Sequence, residues 1–180
     1  MSILLLPGLY NSGPDHWQSR WERQLPDARR VQQANWDQPQ LDDWLHALAQ
    51  AVSACDDEVY LVAHSLGCIL AAHWFQRGQP GLVFSGQVRG ALLVAPPDIG
   101  RNTFPMPGFS PMPKTPFPVA VKIVASENDP WCDFVIAENW ARTTGATFHP
   151  LGACGHINAE SGLGDWKQGQ DWLRELQQIF

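Results

Sequence analysis

The chain has 180 residues, 44 % of them apolar, and 12 Lys and Arg against 18 Asp and Glu leave a formal net charge of −6. That length and apolar share suit one domain over residues 1–180 with a sizeable core. The acidic balance lacks the basic stripe of a nucleic-acid binder, and no apolar run is long enough to span a membrane. Cys55, Cys68, Cys132 and Cys154 are widely spaced with no C-x-x-C pair, as expected of reduced thiols in a chain of this size. "MSILLLPGLYNSG" lacks a basic leader and reads as a first strand, not a signal peptide, so a cytoplasmic location is expected.

In chain order, "SILLLPG" (2–8) predicts the first strand and "HWQSRWERQLP" a helix ended by Pro26. "ARRVQQA" (28–34) is a weaker strand. "PQLDDWLHALAQAVSAC" places Leu41, Trp44, Leu45, Leu48 and Val52 on one helical face. "EVYLVAH" (58–64) is a strong strand, and "LGCILAAHWFQRG", apolar nearly all round, predicts a buried helix ending at Gly78. "GALLVAP" (90–96) and "VAVKIVAS" (119–126) are two more strands. "DFVIAENWARTTG" is a helix stopped by Gly145, with Phe134, Ala137, Trp140 and Ala141 on one face. "TFHPLG" (147–152) is a weak strand, and "DWKQGQDWLRELQQIF" a last helix with Trp166, Leu173, Leu176 and Ile179 together. The strong runs are continuous in their apolarity, as in strands buried on both faces. Strands alternating with helices predict a three-layer α/β/α sandwich around a mostly parallel sheet of about six strands. Most of the nine Trp fall in its core.

The segment 101–118 stands apart: its six prolines exclude a helix or a central strand. It leaves the C-terminal end of a strand, the edge where open α/β sheets bind ligands. Two readings stay open there, a rigid connector and a loop covering the substrate.

Chemistry concentrates in "VYLVAHSLGC" (59–68), where a strand runs into a helix through Ser65. A nucleophile on such a turn needs small neighbours two residues before and after it, where the chain approaches itself closely. Gly67 is one, and Ala63, where the G-x-S-x-G pattern has glycine, adds only a methyl group. A serine needs a base, and the base an orienting acid, in the chain order Ser, Asp or Glu, His. Of the three histidines after Ser65, His73 lies in the next helix and His149 in a strand, leaving His156 in the glycine-flanked loop "LGACGHINAE". For the acid, Asp129 in "VASENDPWCD" is favoured over Asp98 in "APPDIG", with Glu127 and Asp133 as neighbours. The oxyanion donors expected are the N–H of Leu66, at a helix start, and the N–H of Leu9 or Tyr10 after the turn that Gly8 permits. Tyr10, His16, Trp17, Phe104, Phe109 and Trp131 are candidate pocket-wall residues. Cys154 and His156 have no second ligand pair, so no metal is expected. "PGLYNSG" lacks the G-K-[ST] of a phosphate loop, and no cofactor is called for. Cys68, Cys132 and Cys154 near the proposed site read as small buried residues, with oxidation as the other option.

With these residues in place, "LLLPGLYNSGPDHWQ", "LVAHSLGC", "ASENDPWC" and "GACGHIN" make the chain resemble the retinoblastoma-binding protein 9 / YdeN-like serine hydrolase family. The resemblance implies a minimal α/β-hydrolase fold without a large cap and a triad at Ser65, Asp129 and His156. It also implies hydrolysis of a small ester or amide. Retinoblastoma-protein binding belongs to animal members and has no support in any stretch of this chain. Two other functions fit the same fold: a non-catalytic protein-binding module, and a lyase using the Ser-His pair as a base.

Overall fold

The computed structural model describes residues 1–77 and 87–179, so the expected helix end at Gly78 lies outside the described residues. Six strands form one parallel sheet: β1 (Ser2–Leu6), β2 (Ala28–Arg30), β3 (Val59–His64), β4 (Val88–Val94), β5 (Ala120–Ala125) and β6 (Thr147–Pro150). Their spatial order is β2-β1-β3-β4-β5-β6. Five α-helices connect them: α1 (Trp17–Gln24), α2 (Leu41–Ser53), α3 (Leu66–Arg77), α4 (Phe134–Thr144) and α5 (Lys167–Gln177). No helix among the described residues is long and apolar enough to cross a membrane.

The continuous apolar runs have a direct cause. Successive strand residues face opposite sides of a sheet, and here both sides are covered. Leu4, Leu6, Leu61, Ala63, Ala91, Leu93 and Ile123 pack toward α2, α3 and α4. Ile3, Leu5, Tyr60, Val62, Leu92, Val94 and Val124 pack toward α1 and α5. Each fully buried leucine or isoleucine side chain contributes roughly 1.5–3 kcal/mol. α3 is buried from Leu66 to Phe75 without a break, as its all-round apolarity requires. Gly145 ends α4 in the left-handed region at φ 73°, where a residue without Cβ is unstrained.

The weak runs are the ones that shorten. β2 is an edge strand that pairs with β1 over three residues, from Ala28 to Arg30, and does not continue to residue 34. β6, the other edge, stops at Pro150. α5 ends at Gln177, leaving Ile179 55 % exposed instead of on the buried face.

The proline-rich segment is a connector fastened to the α2–α4 side. Its Phe109 is fully buried, edge-on to Trp44 at 5.6 Å, and its carbonyl accepts the His73 Nε2–H at 2.8 Å. Phe117 meets Phe75 and Trp140, and the Trp140 indole N–H donates to the Pro113 carbonyl at 2.7 Å. These anchors use two of its three aromatic residues in packing.

Candidate active site

The parallel register brings Leu6, His64, Val94 and Ala125 to one edge of the sheet, and the residues of interest follow those strand ends. Ser65 bridges β3 and α3 in a single step, which forces it to φ 53°. A non-glycine residue there costs roughly 1–3 kcal/mol and persists only where its surroundings hold it. They do: its N–H donates to the Val94 carbonyl at 3.0 Å, and its carbonyl accepts the Cys68 N–H at 2.9 Å.

Space, more than backbone freedom, makes the glycines necessary. A Cβ on Gly67 would overlap the Leu6 carbonyl oxygen and lie 2.8 Å from that of Pro7. The close approach is therefore to the end of β1, not to Ala63 as the pattern suggests. A Cβ on Gly8 would lie 2.7 Å from the Ser65 Cβ. The left-handed residues of the turn after Gly8 are Tyr10 (φ 65°) and Asn11 (φ 64°).

Ser65, His156 and Asp129 form a hydrogen-bonded line. His156 Nε2 is 2.8 Å from Ser65 Oγ, and Nδ1 is 2.9 Å from each Asp129 carboxylate oxygen. A carboxylate only accepts, so Nδ1 carries the proton and Nε2 presents its lone pair to the serine hydroxyl. Asp129 also accepts the Trp131 N–H at 2.9 Å and is nearly buried. Asp98 turns elsewhere, accepting the Gly100 N–H at 3.0 Å and facing Arg101 at 3.8 Å. Asp133 pairs with Arg101 at 3.0 Å, and Glu127 is exposed.

The Tyr10 N–H is taken by the Trp36 carbonyl at 3.0 Å. Leu9 and Leu66 keep N–H groups with no acceptor among the described residues. A Cβ on Gly8 would stand 3.2 Å from the Leu66 nitrogen, so the residue before Leu9 lies against the start of α3.

A cleft of about 240 Å³ opens on Ser65 and His156, with Leu9, Asn11, His16, His64 and Asn158 in its wall. A second, of about 490 Å³, runs from His156 past Trp131 and Cys154, and Glu160 borders both. Of the wall residues expected, His16 lines the first cleft and Trp131 the second, its ring 6.4 Å from that of His156. Tyr10 is 68 % exposed and lines neither. Trp17 and Phe109 are core residues, 1 % and 0 % exposed, and Phe104 packs against the core. Aromatic type alone does not reveal which way a side chain points, which is why the core claims them.

His64 is the participant that motif reading passes over. Its Nε2–H donates to the His156 carbonyl at 2.9 Å, and its ring lies between those of His16 and His156 at 4.6 and 5.0 Å. The available signal was a histidine ending the otherwise apolar "VYLVAH". Burial first, then the nearby His16 and His156, keeps His64 well below the ordinary imidazole range. Burial, then Arg30 and His156, lowers His16 to about 4. Both are neutral at pH 7, so His156 faces no fixed positive charge from them.

Known proteins share this fold. The YdeN-like hydrolase of Pectobacterium atrosepticum is 36 % identical over 99 % of this chain and 91 % of its own, with a TM-score of 0.87. The ydeN gene product of B. subtilis, 22 % identical, covers 97 % of both chains at a TM-score of 0.76. Est1E of Butyrivibrio proteoclasticus with ferulic acid bound, 9 % identical, shares the fold at a TM-score of 0.70 over 97 % of this chain and 88 % of its own. No curated protein sequence matches significantly. Residues 3–175 match the family model for serine hydrolases, and the chain belongs to that family, a hydrolase with the α/β-hydrolase fold.

Proposed function

We propose that the protein cleaves a small ester or amide by acyl transfer, with Ser65 as nucleophile, His156 as base and Asp129 as the group that orients it. The observation that carries this reading is the Ser65 Oγ to His156 Nε2 hydrogen bond of 2.8 Å on a strained strand-to-helix turn. Ser65 Oγ attacks the substrate carbonyl carbon as its proton passes to His156 Nε2. The carbonyl oxygen gains negative charge beside the Leu9 and Leu66 N–H groups, and the α3 N-terminus adds a favourable dipole. His156 then gives its proton to the leaving oxygen or nitrogen, leaving an acyl-Ser65. Water entering in place of the leaving group bonds to the acyl carbon as it loses a proton to His156, and the acyl–Ser65 bond then breaks as His156 returns that proton to Ser65 Oγ, releasing the acid. Asp129 keeps the proton of His156 on Nδ1 throughout and stabilises the transient imidazolium.

The cleft at Ser65 is small and its wall mixes polar and apolar groups, with His16 alone of the six expected wall residues lining it. It suits a short acyl group, and the larger cleft along Trp131 leaves room for the bulkier part of the substrate. The test is covalent labelling by a fluorophosphonate with peptide mapping, followed by a panel of esters and amides of graded acyl length. Labelling at Ser65, lost in Ser65→Ala, with turnover of short-chain esters, is the expected outcome. An unlabelled wild type, or equal labelling of Ser65→Ala, would point to a binding module. Labelling at Ser65 without hydrolysis of any acyl compound would favour a lyase.

A further inference from the structure

Two consecutive carbonyls of the loop that carries His156 are held by ring N–H donors from distant parts of the chain. His64, the last residue of β3, donates from Nε2 to the His156 carbonyl over 2.9 Å. Trp17, the first residue of α1, donates from Nε1 to the Ile157 carbonyl over 2.8 Å. A carbonyl only accepts, so both bonds have one possible sense.

The backbone at this point needs holding. His156 sits between Gly155 at φ 58° and Ile157 at φ 49°. For a β-branched residue the left-handed region is an outlier, costing roughly 1–3 kcal/mol. The N-terminal side of the loop is tied to the segment bearing Asp129: Asn128 Oδ1 accepts the Gly155 N–H at 2.7 Å, and Ser126 Oγ accepts the Cys154 N–H at 2.8 Å. On the C-terminal side, the Ile157 N–H reaches back to the Cys154 carbonyl at 3.2 Å within the loop. The bonds to the rest of the fold there come from His64 and Trp17. Ile157 is fully buried among Trp17 and the α5-side core, and His64, 6 % exposed, is packed between two other rings. Neither donor has room to swing away.

We propose that His64 and Trp17 are positioning residues, which fix the main chain of His156 and Ile157 so that Nε2 meets Ser65 Oγ while Nδ1 meets Asp129. The proposal rests on the reading of His156 as the base of a serine hydrolase. His64 borders the cleft, but its ring proton is committed to the loop, so its influence passes through His156. Trp17, expected from sequence at the pocket wall, serves the site from behind.

The test replaces each donor while keeping a ring in place. His64→Phe and Trp17→Phe remove the N–H, and His64→Gln restores a side-chain N–H donor of similar reach. Folding is followed by circular dichroism and thermal melting, and catalysis by the rate of Ser65 phosphonylation and by kcat and KM on an activated ester. Both Phe variants should lose about 10- to 100-fold in kcat and labelling rate with little change in KM, the scale of a misplacement near 1 Å. His64→Gln should recover most of the His64→Phe loss. Simple loss of folded protein would lower kcat in proportion to the unfolded fraction and would leave no gain for a donor over a ring of equal bulk. A folded His64→Phe that labels at the wild-type rate, or a loss that Gln does not repair, overturns the proposal. Should His64→Phe not fold, Trp17→Phe decides by the same split. Failure of the wild type itself to label at Ser65 would sink the hydrolase reading instead, a result visible before any variant is made.

Discussion

Gly8 and Ser65 lie so close that a Cβ on the glycine would stand 2.7 Å from the serine Cβ and 3.2 Å from both the His64 carbonyl oxygen and the Leu66 nitrogen. The end of β1 therefore presses directly on the turn after β3, and the absent methyl group is the room in which Ser65 holds its strained conformation. Gly8→Ala should move Ser65 or the Leu9 peptide by several tenths of an ångström. Activity should fall about 100-fold, read as kcat/KM on an activated ester. Gly108, whose Cβ would meet nothing within 4 Å, provides the control, and Gly108→Ala should leave the rate unchanged. A Gly8→Ala protein as active as wild type would show that the turn has slack.

Asp129 and Asp98 separate cleanly in the same assay. Asp129→Asn keeps the shape but gives His156 Nδ1 an amide that can donate, favouring the wrong tautomer of the ring. The loss expected is about 10³- to 10⁴-fold in kcat. Asp98→Asn alters only the contacts to Gly100 and Arg101, so its rate should stay within about threefold of wild type, as for substitutions away from a site. A larger loss for Asp98→Asn would reverse the assignment of the acid.

What could be read in advance followed from burial and from order along the chain. The central strands announced themselves because both faces are covered, which leaves no polar alternation to obscure them. Ser65, Asp129 and His156 were legible because each follows a strand that ends on the same edge of the sheet. The edges were harder: "ARRVQQA" continues to look strand-like after Arg30, but an edge strand with one partner ends where that partner's ladder ends. Direction was harder still. Trp17, Phe104 and Phe109 look like pocket residues by type and turn out to be packing residues. His64 looks like a strand end, yet its ring N–H is bonded to the His156 carbonyl. Gly8 looked like a residue chosen for its dihedral freedom, when only its lack of volume is used.

The cysteines near the site should differ sharply in reactivity. Burial, aided by the nearby Asp129, Asp98 and Asp133, pushes the Cys132 thiol up to about 12, and burial puts Cys68 well above its ordinary value. Thiolate, not thiol, reacts with alkylating agents. Cys154 is the one of the four that is partly exposed, and it lines the cleft beside His156. Native protein treated with iodoacetamide at pH 8 should be modified at Cys154 first, with Cys68 and Cys132 reacting only on unfolding. Peptide mass spectrometry reads the order. Early modification of Cys68 or Cys132 would mean that α3 or the Trp131 turn opens in the native state.

Stability should fall on the acid side of neutrality because of the buried histidines. In the unfolded chain His16 titrates near 6.5. In the folded protein burial, with Arg30 and His156 nearby, holds it neutral down to about 4. Between those values the unfolded state binds a proton that the folded state refuses, so the His16 contribution is complete above about pH 6.5 and is lost as the pH falls toward 4. For this one residue the loss is on the order of 3 kcal/mol. His16→Asn isolates it: asparagine is also a good N-cap for α1, where His16 Nδ1 now accepts the Gln18 N–H, and it does not titrate. Urea unfolding at pH 7.0 and 4.5 should show wild type losing more stability than His16→Asn by about 2–3 kcal/mol. His64 stays in both proteins, and burial, the main cause that lowers it, is left in place by His16→Asn. Equal losses in the two proteins would show that His16 is protonated in the fold well above pH 4.5.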